Sequence, residues 1–120
     1  MRTVEQLGEL YTAVWNETDP QKRREMIADL WTAEGRHYVG AREVQGYEAL
    51  EQRIIGSHEK NVRDGGYQFK VTTVRALQDA VTVDWDMVRP AGSEAVAAGR
   101  DVLIVDADRR ILTDYQFIVG

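Results

Sequence analysis

At 120 residues the chain makes a single domain, residues 1–120, because a second core could hardly be built from what the first leaves over. A composition of 43% hydrophobic and 29% charged residues excludes a disordered chain, and 15 Lys plus Arg against 20 Asp plus Glu, a formal net charge of -5, excludes the basic footprint that nucleic acid requires. The absence of cysteine removes disulfides, thiolate nucleophiles and sulfur-ligated zinc together.

Thr3 and Gln6 have the spacing of a capping box, and Val4, Leu7, Tyr11, Val14 and Trp15 recur at helical spacing, predicting a helix over about 4–16. Charges interrupt this opening segment where a secretion signal needs an apolar core, and the longest aliphatic run is Val102 to Val105. Neither export nor membrane insertion is indicated, and the expected location is cytoplasmic. Asp19-Pro20 opens a second helix, with Met26, Ile27, Leu30 and Trp31 on one apolar face and Gly35 as its stop. Arg36 to Val39 reads as a short strand and Gly40 to Gly46 as an irregular connection. Tyr47, Leu50, Ile54, His58 and Val62 mark a third helix, ended by Asp64-Gly65-Gly66.

After Gly66 the period changes to two. Residues 67–77, 80–89, 95–105 and 111–119 read as four long strands, and the connections 78–79, 90–93 and 106–110 are short enough to make neighbours antiparallel. Three helices followed by a meander predict an α+β fold. Val81, Val83, Trp85 and Met87 share one face of their strand, and Thr82, Asp84 and Asp86 the other. Val102 to Val105 is apolar on both faces, so the side of the sheet that the helices leave bare needs a cover. A second copy is the expected partner, giving a homodimer through the outer sheet face.

Asp101 opens that apolar strand on the parity of Leu103 and Val105. Held against an apolar wall it would have a raised pKa and act as an acid or neutral donor; at a wet strand end it would be an ordinary carboxylate. Tyr11 lies on the apolar stripe of the first helix, where its hydroxyl needs a buried partner and would serve either a pocket or a plain core. Trp15, Trp31 and Trp85 are either core or the walls of a cavity for a flat, apolar or polycyclic ligand. His37 alternates with Tyr38, so one of the two points inward, while His58 falls on the apolar face of the third helix. The reference pKa of an imidazole lies near neutrality, so either histidine could act as a base. They show no i,i+4 pairing and no His-Glu constellation, so no metal and no cofactor is expected. Asp84 and Asp86 read as solvated, Gly65-Gly66 and Gly92-Ser93 as turns, and neither a phosphate loop nor a G-x-S-x-G elbow is present.

The segments L-Y-T-A-V-W-N-E-T-D-P at the start and G-R-D-V-L-I-V-D-A-D-R-R-I-L-T-D-Y-Q-F near the end, on this order of elements, resemble the SnoaL-like branch of the nuclear transport factor 2-like superfamily over nearly the whole chain. The resemblance implies a cone, a curved antiparallel sheet wrapped around three N-terminal helices, with a pocket at one end and frequent dimers. The superfamily includes ketosteroid isomerases, polyketide cyclases, epoxide hydrolases, dehydratases and proteins used only for binding or assembly, so the fold does not choose a reaction. In isomerase-like members a helix-one tyrosine and an aspartate opening the strand before the last form an oxyanion site; Tyr11 and Asp101 are similar. An enolising aspartate normally follows the short strand, where this sequence reads Tyr38-Val39-Gly40-Ala41, with Gly40 in place of the carboxylate. His37 is the nearest group that could replace it. The epoxide-hydrolase pattern of two aspartates and an arginine finds no matching parity among Asp84, Asp86, Arg75 and Arg100. The resemblance thus implies a cofactor-free isomerase or cyclase for a small apolar carbonyl compound, with Asp101, Tyr11 and His37 catalytic and Trp15, Trp31, Tyr38, His58 and Trp85 around the ligand. The alternative is a non-catalytic ligand-binding or assembly module.

Overall fold

Thr3 caps the first helix, α1 (Val4–Asn16): its hydroxyl accepts from the Gln6 N–H at 3.1 Å, and the Gln6 side chain accepts from the Thr3 N–H at 2.8 Å. The computed structural model describes residues 1–90, 92 and 94–119; Ala91 and Ser93, in the connection expected at 90–93, and Gly120 lie outside the described residues. The second helix, α2 (Pro20–Leu30), starts on the Asp19 side chain, which accepts from Gln21 N–H at 3.0 Å.

The chain leaves α2 at Leu30 rather than at Gly35, and the expected short strand is the end of a longer one, β1 (Trp31–Val39). Trp31 continues the apolar spacing because its ring joins the same core, yet its N–H already closes the last helical turn on the Ile27 carbonyl. Gly35 sits in the bulge between Trp31 and Arg36, where a Cβ would come 2.7 Å from the Trp31 ring. The expected irregular connection contains a second strand, β2 (Arg42–Gln45), paired antiparallel to β1 around Gly40, whose φ of +56° suits glycine. The third helix, α3 (Tyr47–Ser57), runs on through Asp64 as a wider π-helical segment, His58–Asp64.

The four long strands are β3 (Gln68–Leu77), β4 (Ala80–Val88), β5 (Ala95–Val105) and β6 (Ile111–Val119). They form an antiparallel meander, and β6 then lies parallel to β1, giving a six-stranded mixed sheet in the order β2-β1-β6-β5-β4-β3. Helical Leu7, Val14, Ile27, Leu30, Leu50 and Ile54 pack on the inner sheet face through Val81, Val83, Leu103 and Ile111. Each such fully buried side chain contributes roughly 1.5–3 kcal/mol.

Two features bound the sheet. Along the outer edge of β3, the Asn16 side chain donates to the Phe69 carbonyl and accepts from the Phe69 N–H, both at 2.8 Å. On the outer face, Val102 and Ile104 are half-buried, whereas Tyr115, Phe117 and Val119 are 43%, 56% and 48% exposed beside the Asp84–Arg100 ion pair at 2.6 Å. Among the described residues no helix is long and apolar enough to cross a membrane.

Candidate active site

Between α1, α3 and the inner sheet face lies a cavity of about 730 Å³. Trp15, Phe69, Trp85 and Met87 supply apolar wall, Tyr11 reaches it from α1, and Arg42, Arg53 and Lys60 bring positive charge. Gly40 also lines it, so the position expected to lack a carboxylate is bare. Trp85 fits because Gly99 stands opposite it on β5; a Cβ there would run into the indole ring.

Behind Tyr11 four polar groups meet in a dry interior. Tyr11 Oη lies 2.7 Å from Asp101 Oδ2 and 2.6 Å from Asp114 Oδ2. His37 Nδ1 lies 2.8 Å from Asp114 Oδ2, and Trp85 Nε1 donates to Asp101 Oδ1 at 2.7 Å. Asp101, Asp114 and His37 are 0%, 0% and 1% exposed. A phenol has one proton and faces two carboxyls, so one carboxyl must donate to it.

Electrostatics choose Asp101. Burial drives its carboxyl well above the ordinary range, and the neighbouring Asp114 charge adds to this, outweighing the hydrogen bonds from Tyr11 and Trp85. Asp114 is pushed up by burial only to about 6, because the protonated state of neighbouring Asp101, the hydrogen bond from Tyr11 and the nearby Arg53 charge favour its ionised form. Burial lowers His37 to about 4, so the imidazole is neutral at pH 7. Burial likewise raises Tyr11, reinforced by both aspartates, and keeps the phenol protonated. The protons then run in one direction: Asp101 donates to Tyr11, Tyr11 donates to Asp114, and His37 Nδ1–H donates to the same Asp114 oxygen. Asp114 Oδ1 and His37 Nε2 are buried and unpartnered.

The structure brings together Tyr11, Asp101 and His37 and places Trp15 and Trp85 on the cavity wall. It does not bring Trp31, Tyr38 or His58 there. Trp31 is wholly enclosed in the core, because the strand begins at its position and turns the ring beneath α1, 5.9 Å from the Tyr11 ring. Tyr38 points to the outer sheet face and stacks on Tyr115 at 5.3 Å, leaving His37 as the inward residue of the pair. His58 is buried with Nδ1 3.3 Å from the Trp15 carbonyl, a position that ties the start of the π-helical segment to α1. Asp114 and Arg53 were not anticipated. His37, Asp101 and Asp114 offer three possible metal-ligating atoms within 4.8 Å of one another, but Tyr11 and the His37–Asp114 contact already engage the atoms that face each other.

No family model matches the sequence, and no curated protein matches it significantly. Solved structures do match in shape. A SnoaL-like candidate isomerase from Agrobacterium tumefaciens aligns at a TM-score of 0.85 and 24% identity, over 98% of this chain and 97% of its own. A SnoaL-like protein of unknown function from Burkholderia thailandensis aligns at 0.73 and 12% identity, over 98% and 95%. A candidate polyketide cyclase from Sinorhizobium meliloti aligns at 0.70 and 12%, over 92% and 93%. With three helices against a curved, unclosed six-stranded sheet in the same arrangement as these proteins, the chain has the nuclear transport factor 2-like fold.

Proposed function

We propose that this protein is a cofactor-free proton-transfer enzyme, an isomerase or cyclase acting on a small carbonyl compound held in the cavity. The observation that supports it is the double placement of Tyr11, which lines the cavity and bonds to two buried carboxyls. In this reading a C–H proton beside the substrate carbonyl passes to Tyr11 Oη while the phenol proton passes to Asp114 Oδ2. The C–H bond breaks, its electron pair moves into the enolate, and Asp114 holds the proton. The cationic lining favours the enolate charge. Return of the proton at another carbon completes an isomerisation; attack of the enolate carbon on a second carbonyl of the same molecule, with the proton delivered to the new alkoxide, completes a cyclisation. Asp114 on β6 thus takes the base role for which Gly40 has no group.

The test is solvent deuterium exchange at the α-carbons of a panel of ketones and 1,3-dicarbonyls, followed by proton NMR. Exchange is expected, falling about tenfold per pH unit below about 6, where Asp114 becomes protonated. Saturable binding without exchange across the panel would make the protein a non-catalytic binding module.

We further propose that the outer sheet face pairs with a second copy, covering Tyr115, Phe117 and Val119. Light scattering at micromolar concentration is then expected to give roughly twice the chain mass. A stable monomer would rule this out.

A further inference from the structure

The charge inside the cavity is opposite to that of the chain. Acidic residues outnumber basic ones by 20 to 15, yet Arg42, Arg53 and Lys60 line the cavity and, among the described residues, no Asp or Glu does. The carboxyls of Asp101 and Asp114 lie behind the Tyr11 hydroxyl and are outside the lining.

Arg53 is the informative residue. It stands on α3 between Leu50 and Ile54 of the core, half-buried, with its guanidinium over the Trp15 ring at 5.1 Å. Its Nε is buried without a partner. Arg2, Arg24, Arg63 and Arg100 each hold a carboxylate, and Arg23, Arg109 and Arg110 hold backbone carbonyls; among the described residues Arg53 has no hydrogen-bond partner of either kind. A guanidinium stays charged in a protein and is costly to desolvate without an anion. Arg42 lies close enough to add repulsion, which the charge of Asp114 behind Tyr11 offsets only from a distance, without a direct contact.

We infer that the cavity binds an organic anion, a carboxylate on an apolar body, with its carboxylate on Arg53 and its body between Trp15, Phe69 and Trp85. One planar guanidinium matches the two oxygens of a carboxylate. Among the described residues the cavity lining contains no run of glycines of the kind that cradles phosphates, and its tryptophan walls suit a flat hydrocarbon frame. This names the substrate class for the proton-transfer reading and rests on that reading's cavity, although binding is measured without turnover.

Isothermal titration calorimetry with three matched naphthalene probes tests it: 2-naphthoate, 2-naphthamide and 2-naphthylmethylamine. The carboxylate is expected to bind about tenfold or more tightly than the amide, the amine most weakly. Arg53→Gln should remove the carboxylate advantage and leave amide binding within about twofold, and Lys60→Gln, more exposed, should reduce it less. Equal affinity for carboxylate and amide, preference for the amine, an unchanged advantage in a folded Arg53→Gln, or no binding of any probe would each overturn the inference. Carboxylate binding without α-proton exchange would leave the inference standing and remove the enzyme, whereas exchange confined to neutral ketones would do the reverse.

Discussion

Tyr11→Phe is expected to lower α-proton exchange by about two to four orders of magnitude while ligand still binds. The ring remains in the cavity wall, so apolar contact is kept. What disappears is the one oxygen that touches both the cavity and the buried aspartates. Asp114 would keep its charge but lie behind the phenyl ring, out of reach of substrate. The variant should also be less stable by about 1–3 kcal/mol, because Asp101 loses its acceptor and Asp114 loses a donor in a dry site. Exchange rate and thermal melting separate the two effects. Activity within about threefold of wild type, in a protein that melts lower, would mean that the hydroxyl serves folding alone.

Asp101→Asn is expected to raise stability at neutral pH by about 1 kcal/mol or more and to change it little near pH 4. The Asp101 carboxyl is held above its ordinary value by burial, then by the Asp114 charge. Its contribution is therefore fully present below the unfolded value of about 3.8 and is lost as pH climbs from there toward the folded pKa. Asparagine keeps an oxygen for Trp85 Nε1 and an N–H for Tyr11 and never ionises. Asp114, at about 6, follows the same direction between about 3.8 and 6. His37 runs against it: the unfolded imidazole binds a proton below about 6.5, the folded one only below about 4, so stability falls as pH drops through that window. These two slopes oppose each other between pH 4 and 6, and Asp101 sets the remaining trend. Urea unfolding at pH 4.5 and 7.5 measures it. An asparagine variant no better placed relative to wild type at pH 7.5 than at pH 4.5 would show that Asp101 is ionised in the folded protein.

The parts of the molecule that follow local chemistry were legible in the sequence. The α1 cap needs only Thr3 and Gln6, and the long strands need only alternation and short turns. The end of α2 was not legible, since Trp31 satisfies the helical spacing while its backbone begins β1. Tyr11 and Asp101 could be singled out because a helical stripe and a strand parity each placed a polar group among apolar ones. Asp114 is hidden by the same rule. On β6, hydropathy would turn Tyr115, Phe117 and Val119 inward and Asp114 and Gln116 outward, whereas the fold does the opposite: the polar parity builds the site and the apolar parity faces out. The irregular register between Ile104 and Val105, where β5 meets Ile111 of β6, further shifts the phase. Arg53 had a signal, its place three residues after Leu50 and beside Ile54, but a charged residue on an apolar face reads as a solvated flank until a cavity is known to lie there.

The amide of Asn16 gives the open sheet a property that its topology alone would not. An unclosed sheet ends in two strands with free backbone groups, here β2 and β3, and such edges are templates on which another chain can add a strand. β2 is only four residues long. On β3 the free N–H and C=O of Phe69 are already occupied by one side chain, and Lys70 and Arg75 stand exposed along the same strand. A strand arriving at that edge would have to break both Asn16 bonds and bring its backbone against two cations. Strand addition is thereby obstructed at the longer edge around Phe69.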